Sequence, residues 1–235
     1  RMGVRRHHIF PLVAMCLFEP CLYFLFESAA LVHTAASQAA MITTMLPLMV
    51  ALAAGLVFGE RVSVRTVSGF VVAVAGAVWL SLAGGASGQA PNPALGNFFE
   101  FLAMVCATAY TILMKQLSKT FHPFLLTGLQ AFSGALFFAP ALLLPKVRAV
   151  ADLPVGGLLA VLYLGTVVSV GAYGLYNFGI SRLPASQAAA FVNLIPVFSI
   201  LLGFLILGER MTPWQLCACA LVFFGVLLSQ DSGTR

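Results

Sequence analysis

Apolar residues in this chain run in long unbroken stretches, and polar residues collect in the short intervals between them. Eight apolar segments stand out, at approximately 9 to 31, 37 to 59, 64 to 83, 96 to 115, 122 to 144, 154 to 180, 186 to 208 and 213 to 230. A bilayer core of about 30 Å takes about 20 residues of helix at about 1.5 Å rise each. Each segment therefore reads as a spanning helix. No charged residue falls between Arg65 and Glu100, between Lys119 and Lys146, or between Arg182 and Glu209. Continuous runs, rather than the apolar/polar alternation of a transmembrane barrel strand, predict an all-α membrane protein, a polytopic helical bundle of about eight transmembrane helices.

Composition agrees with the pattern. Hydrophobic residues make up 61% of the 235 and charged residues 8%, against about 25% charged in a soluble domain. The net charge of +5 is then a statement about topology, and no nucleic-acid partner is implied. With eight crossings, one face collects Arg1, Arg5, Arg6, Arg61, Arg65, Lys115, Lys119, Arg182 and Arg235, and the other only Lys146, Arg148 and Arg210. The positive-inside rule places both termini in the cytoplasm. The basic opening RMGVRRHH leads directly into a run of full spanning length with no small-residue cleavage site after it, so it reads as a structural helix and not a signal peptide. Cys16, Cys21, Cys106, Cys217 and Cys219 all lie inside apolar runs without metal-site spacing. They are expected to be buried free thiols, with no metal and no cofactor.

One phrase occurs twice. Ala36 to Arg61 reads ASQAAMITTMLPLMVALAAGLVFGER and Ala185 to Arg210 reads ASQAAAFVNLIPVFSILLGFLILGER, with 11 identities in 26 positions at a fixed offset of 149. The path from Ser37 to Ser186 crosses the membrane five times on the count above. An odd number turns the second copy upside down, and inverted repeats are how many secondary transporters build a site near the bilayer midplane. Between the halves, GGASGQAPNPALGN has the glycine, proline and asparagine content of a helix-breaking junction.

Two copies of a spanning helix with a central proline and a terminal Gly-Glu-Arg, each preceded by Ala-Ser-x-Ala and followed by another apolar helix, resemble the EamA-type members of the drug/metabolite transporter superfamily. The resemblance runs from about Ile9 to Ser229. It implies ten helices in two inverted five-helix repeats, carrying small metabolites across a bacterial inner membrane. On that pattern residues 1–84 are a partial first repeat of three helices, 85–95 the loop between halves, 96–230 a second repeat of five helices and 231–235 a tail. Three helices before the loop and five after it depart from the family pattern, and the expectation is that two helices are missing at the N-terminus.

Within the repeat, Pro47 and Pro196 sit near the middle of their segments and are expected to kink them, freeing a carbonyl one turn earlier. Thr44 and Asn193 lie three residues before the prolines, as substrate contacts or as partners of local carbonyls. Glu60, Arg61, Glu209 and Arg210 fall at segment ends, where Ser63 and Thr212 follow as N-caps and Pro213 at the first helical position. They read as interfacial turns that anchor helix pairs. Gly55 and Gly59, and Gly69 and Gly76, read as helix-packing residues.

The first segment, HIFPLVAMCLFEPCLYFLFESAAL, carries Glu19 deep in apolar surroundings, where an ionised acid costs about 2.5 to 3.5 kcal/mol on insertion scales. Glu19, Tyr23 and Glu27 are spaced by four and share one face. Proton coupling, binding of a cationic solute group and a hydrogen bond at Pro20 are the readings open to Glu19. The equivalent segment of the second half carries Tyr173, Tyr176 and Asn177, with Tyr176 at the position equivalent to Glu27. These are cavity or interface candidates. Tyr110 is a further candidate, and Glu100 is expected near the outer surface in water.

A secondary transporter of a small organic solute, with export the favoured direction and proton coupling a candidate, fits these features. The chain contains no GxxxxGK[ST] for nucleotide-driven pumping. It also contains no HExxH or GxSxG, nor paired aspartates within the spans, for a membrane-embedded enzyme. A non-transporting subunit of a larger complex stays open beside it, as do substrate identity and oligomeric state.

Overall fold

The structure, a computed structural model, describes residues 6–59, 62–83, 90–143, 154–190, 192, 194–208 and 210–229. Glu60, Arg61, Asn193 and Glu209 lie outside the described residues, as do residues 84–89 at the start of the loop between halves. The first expected span becomes α1 (Arg6–Cys16), a π-helical turn over Leu17–Leu22 and α2 (Tyr23–His33). The first copy of the repeat becomes α3 (Ala36–Thr43) and α4 (Leu46–Phe58), followed by α5 (Val64–Ala83). The second half opens with α6 (Pro93–Leu117) and α7 (Pro123–Phe138), the latter extended by a 3-10 turn over Ala139–Leu143. After these come α8 (Val155–Tyr163), a π-helical stretch over Leu164–Ala172 and α9 (Tyr173–Arg182). The second copy is α10 (Ala185–Ala190), α11 (Leu194–Leu202) and a π-helical turn over Gly203–Leu207, followed by α12 (Pro213–Ser229).

Among the described residues, five helical stretches are long and apolar enough to cross a membrane: Arg6–His33, Ala36–Phe58, Pro93–Leu117, Pro123–Leu143 and Val155–Arg182. Val64–Leu80, Phe198–Leu207 and Pro213–Leu228 are apolar but shorter. Side chains are distributed inside out relative to a soluble protein. Phe10, Leu56, Val64 and Leu143 are each at least 80% exposed, while Glu19, Gln38, Thr44, Asn97, Glu100, Gln130 and Asn177 are buried. A soluble monomer rarely exposes apolar patches on this scale. Facing hydrocarbon, the same surface is satisfied and the polar groups must find partners inside.

The proline of the repeat acts differently from a mid-helix kink. The first copy is interrupted by a turn at Thr44 and Met45, between α3 and α4, and in the second α10 is described to Ala190 and α11 from Leu194. Pro47 and Pro196 then fall in the first turn of the helix that follows, where a missing N–H leaves no bond unmade. Gly59 also departs from expectation. A Cβ there would meet nothing within 4 Å, and its φ is +69°, as Gly208 is at +66°. Both glycines of the Gly-Glu-Arg phrase end a helix in the left-handed conformation that a side chain resists. Ser63 caps α5 by accepting from the Thr66 amide at 3.1 Å, and Thr212 caps α12 by accepting from the Gln215 amide at 3.3 Å.

The copies pack across each other. α3 lies against α11 and α4 against α10, so the leading piece of each copy meets the trailing piece of the other. α5 and α12, equivalent by the same offset, form the most extensive helix pair. A Cβ on Gly76 would lie 2.8 Å from Val222 Cγ2, and one on Gly225 2.5 Å from the Ala73 amide nitrogen. Advancing along α5 from Ala73 to Gly76 means retreating along α12 from Gly225 to Val222, so the pair is antiparallel. Of the five cysteines, Cys16, Cys21, Cys106 and Cys219 are buried and free, whereas Cys217 is exposed on the outer face of α12, against expectation.

Candidate functional site

The break in the first span begins at Glu19. Its backbone leaves the helical region (φ −143°, ψ 121°) inside the π-helical turn, and Pro20 follows with no amide to restore the ladder. Pro20 wedges against Gly134 of α7, where a Cβ would come within 2.5 Å of the ring. The interruption turns the Glu19 carboxyl inward, leaving the residue 3% exposed. The Tyr173 hydroxyl of α9 is its hydrogen-bonding neighbour. π-helical turns inside helices often mark functional positions, and the equivalent span of the second half carries its own over Leu164–Ala172.

At the start of α2, the Tyr23 hydroxyl donates to Glu27 Oε1, one turn on, at 2.7 Å. Opposite them stands α6, which approaches closely because Gly96 faces Thr34. A Cβ on Gly96 would lie 2.6 Å from Thr34 Cβ and 2.9 Å from the Ala30 carbonyl. One turn further along α6 is Glu100, across from Glu27. It is 2% exposed, which overturns the expectation of a solvated surface acid. Close helix packing at Gly96 shuts water out, and Thr43 at the end of α3 supplies a hydroxyl 3.0 Å from Glu100 Oε1. The other oxygen, Oε2, is buried without a hydrogen-bond partner among the described residues. Glu27 is the electrostatic neighbour of both Glu19 and Glu100, so the three carboxyls, spread over about two helical turns of the first span, form one linked carboxyl layer. Among the described residues their hydrogen-bonding neighbours are the hydroxyls of Tyr173, Tyr23 and Thr43.

A second polar group lies between α6, α7 and α9. The Tyr110 hydroxyl is 2.9 Å from Gln130 Oε1 and 2.5 Å from Asn177 Oδ1, and Asn177 Nδ2 donates to Thr127 Oγ1 at 2.9 Å. All four residues are buried. One α-turn apart on α6, Thr108 and Thr111 bond back to Met104 and Ala107 carbonyls. The Tyr176 hydroxyl, one residue before Asn177, is buried with no geometric hydrogen bond among the described residues, and Thr111 is its hydroxyl neighbour. Thr44 is fully buried and donates to the Met41 carbonyl at 2.6 Å, while its neighbour Thr43 reaches the carboxyl layer.

The structure thus brings Glu19, Tyr23, Glu27 and Tyr173 into one layer, and Tyr110 and Asn177 into another. Glu100, Thr43, Gln130 and Thr127 were not among the sequence candidates. Nothing in spacing along one segment marks them, because their partners come from other helices. Arg210 is exposed ahead of α12, apart from both layers. No cluster of metal-ligating side chains occurs among the described residues. Chemically, the carboxyl layer can hold a proton or a cationic group, and the tyrosines can offer rings and hydroxyls to a solute.

The sequence profile of the EamA-like transporter family matches residues 3–82 and 94–230, with its gap at the loop between halves. The chain is 25% identical over 238 residues to the uncharacterized transporter YcxC of Bacillus subtilis, covering 97% of this chain and 75% of that one. It is 26% identical over 234 residues to a probable terminal-alkyne amino-acid exporter of Streptantibioticus cattleyicolor, covering 97% and 76%. A solved crystal structure superposes with a TM-score of 0.66 at 25% identity, covering 99% of this chain and 81% of its own.

Proposed function

The chain belongs to the EamA-like transporter family, and from that premise we propose that it is a secondary transporter whose solute and coupling proton meet at the Glu19, Glu27 and Glu100 layer. It is an integral membrane transporter, and the proposal concerns how it works. The observation that carries the reading is the unpartnered Oε2 of Glu100 inside that layer. Glu19 and Glu100 are buried and Glu27 is their half-buried neighbour, and the three cannot all be ionised cheaply, since an uncompensated buried charge costs several kcal/mol. A layer of this kind exchanges protons or a cationic group with whatever enters it.

Alternating access follows from the repeat. The antiparallel α5 and α12 pair, and the crossing of α3 with α11 and α4 with α10, support two repeats inverted about an axis in the membrane plane, with about eight spans and both termini cytoplasmic. Rocking of one repeat against the other would open the layer to each side in turn, with the turn before Pro47 as a pivot. Tyr110, Tyr173, Tyr176, Asn177, Thr44 and Asn193 are proposed to line the pathway, and the turns at Glu60, Arg61, Glu209 and Arg210 to hold helix pairs at the interface. The exporter among the relatives supports outward transport of a small organic metabolite, and an amino group is the solute feature that a carboxyl layer would recognise.

Proteoliposomes loaded with a panel of amino acids and amines, with a pH-sensitive dye inside, test the reading. Efflux of a panel member with opposite proton movement is expected, together with loss of the proton movement in Glu19→Gln and Glu100→Gln. Efflux that proceeds equally with and without a pH gradient in both variants and the parent would reject the coupling role. No flux for any panel member would favour the subunit reading.

A further inference from the structure

At the opposite end of the helices from the Gly96 contact lies a cavity of about 340 Å³ that the transport pathway does not use. Its floor is the turn from Ser118 to Pro123 between α6 and α7, and its wall is the end of α9 at Phe178, Ser181 and Arg182. All three helices end here, at the boundary of their apolar spans. Two cations, Lys119 and Arg182, line it, and no carboxylate does. Neither cation makes an ion pair or hydrogen bond among the described residues. Lys119 Nζ instead sits 5.4 Å from the centre of the Phe58 ring, and the Arg182 guanidinium 5.3 Å from that of Phe178. Ring faces hold the cations in place without neutralising them.

The frame around the cavity is fixed. Lys115 Nζ donates to the Ile180 carbonyl at 2.9 Å and the Leu183 carbonyl at 2.6 Å, tying α6 to the end of α9. Phe124, at the start of α7, stacks on Phe178 at 6.3 Å between centroids. Beyond that stacked pair the surface is apolar and open, with Phe124 52%, Leu125 61% and Leu175 71% exposed. A charged pocket with an apolar face leading out of it suits an amphiphile better than a free ion.

We propose that this cavity is a binding site for the phosphodiester headgroup of an anionic phospholipid, with Lys119 and Arg182 on the phosphate and the acyl chains along Phe124, Leu125 and Leu175. Basic pockets between transmembrane helices at the cytoplasmic side recognise such headgroups, and the guanidinium can bond phosphate through two N–H groups. The site is independent of the carboxyl layer and of any solute.

Native mass spectrometry of the purified chain in a neutral detergent, titrated with phosphatidylglycerol, phosphatidylcholine or inorganic phosphate, tests it. One phosphatidylglycerol is expected to stay bound, with affinity falling about thirtyfold in the K119Q/R182Q double variant on removal of two headgroup-facing cations. The charge-preserving K119R/R182K variant should keep the lipid, which separates loss of the site from misfolding. Equal retention by K119Q/R182Q, equal retention of phosphatidylcholine, or displacement of the lipid by inorganic phosphate would each overturn the proposal, the last by identifying a free-anion site.

Discussion

Gly76 and Gly225 occupy equivalent positions in the two repeats, and each meets the partner helix at the positions equivalent to those the other meets. Gly76 faces Ala218 and Val222, and Gly225 faces Gly69 and Ala73. Adding 149 to 69, 73 and 76 yields 218, 222 and 225, so the seam between α5 and α12 reads the same from either side. In a membrane, where lipid is as apolar as leucine, such small residues let backbones close and gain dispersion contact.

Because neither glycine has room for a side chain, Gly225→Leu is expected to lower stability by about 1–3 kcal/mol through overpacking, and Gly76→Leu by a similar amount. Thermal unfolding in detergent checks both. Gly128→Ala serves as the control, since a Cβ there meets nothing within 4 Å. A parent-like melting temperature for Gly225→Leu would mean that the seam does not hold the repeats together.

Thr43→Val removes the hydroxyl that serves Glu100 Oε1. Leaving that buried acid without a partner is expected to cost about 1–3 kcal/mol. A double-mutant cycle with Glu100→Gln isolates the pair, and a coupling of about 0.5–3 kcal/mol is expected between residues in contact. Strict additivity would remove Thr43 from the layer.

The two buried tyrosine hydroxyls should not weigh equally. Tyr110→Phe removes the donor to Asn177 Oδ1 and leaves Gln130 Oε1 only the longer bond from Asn177 Nδ2 at 3.4 Å, so a loss of about 1–3 kcal/mol is expected. Tyr176→Phe deletes a hydroxyl that makes no geometric hydrogen bond among the described residues and whose neighbour Thr111 already donates to the Ala107 carbonyl, so it should cost less stability than Tyr110→Phe. If Tyr176→Phe nevertheless alters solute flux in liposomes, that hydroxyl points into the pathway.

The proposed orientation is open to a direct labelling experiment. In a cysteine-free background, a cysteine at Thr120 should resist a membrane-impermeant thiol reagent added to intact cells, and one at Arg210 should react. Inside-out vesicles should reverse the two results. Labelling of both positions from one side would refute the three crossings that the proposed topology places between them, and with them the odd count on which the inversion rests.

Membrane class, helix positions and the internal repeat were legible in the sequence because they depend on local order. An apolar run of spanning length has no stable home in water, and a phrase repeated at one offset needs no contact to be seen. Glu19 was visible for the same reason, as an acid alone in such a run. Glu100 was misread from position alone. Only eight residues into α6, it looked superficial, yet Gly96 draws α2 over it and Thr43 arrives from a helix 57 residues away in the chain. Gly59 was misread as a packing residue because its spacing from Gly55 fits a helix, while its φ of +69° is a property of the turn.

Taken by itself, the sequence determined that this chain inserts in a membrane as helices and carries two copies of one phrase. Those outcomes follow from hydropathy and spacing within single segments. The tertiary structure alone decided which acids share a layer, where the first copy is interrupted relative to Pro47, and which cations meet no carboxylate among the described residues at the helix ends. Such pairings are set by the close approach of helices far apart in sequence, which one-dimensional periodicity does not encode.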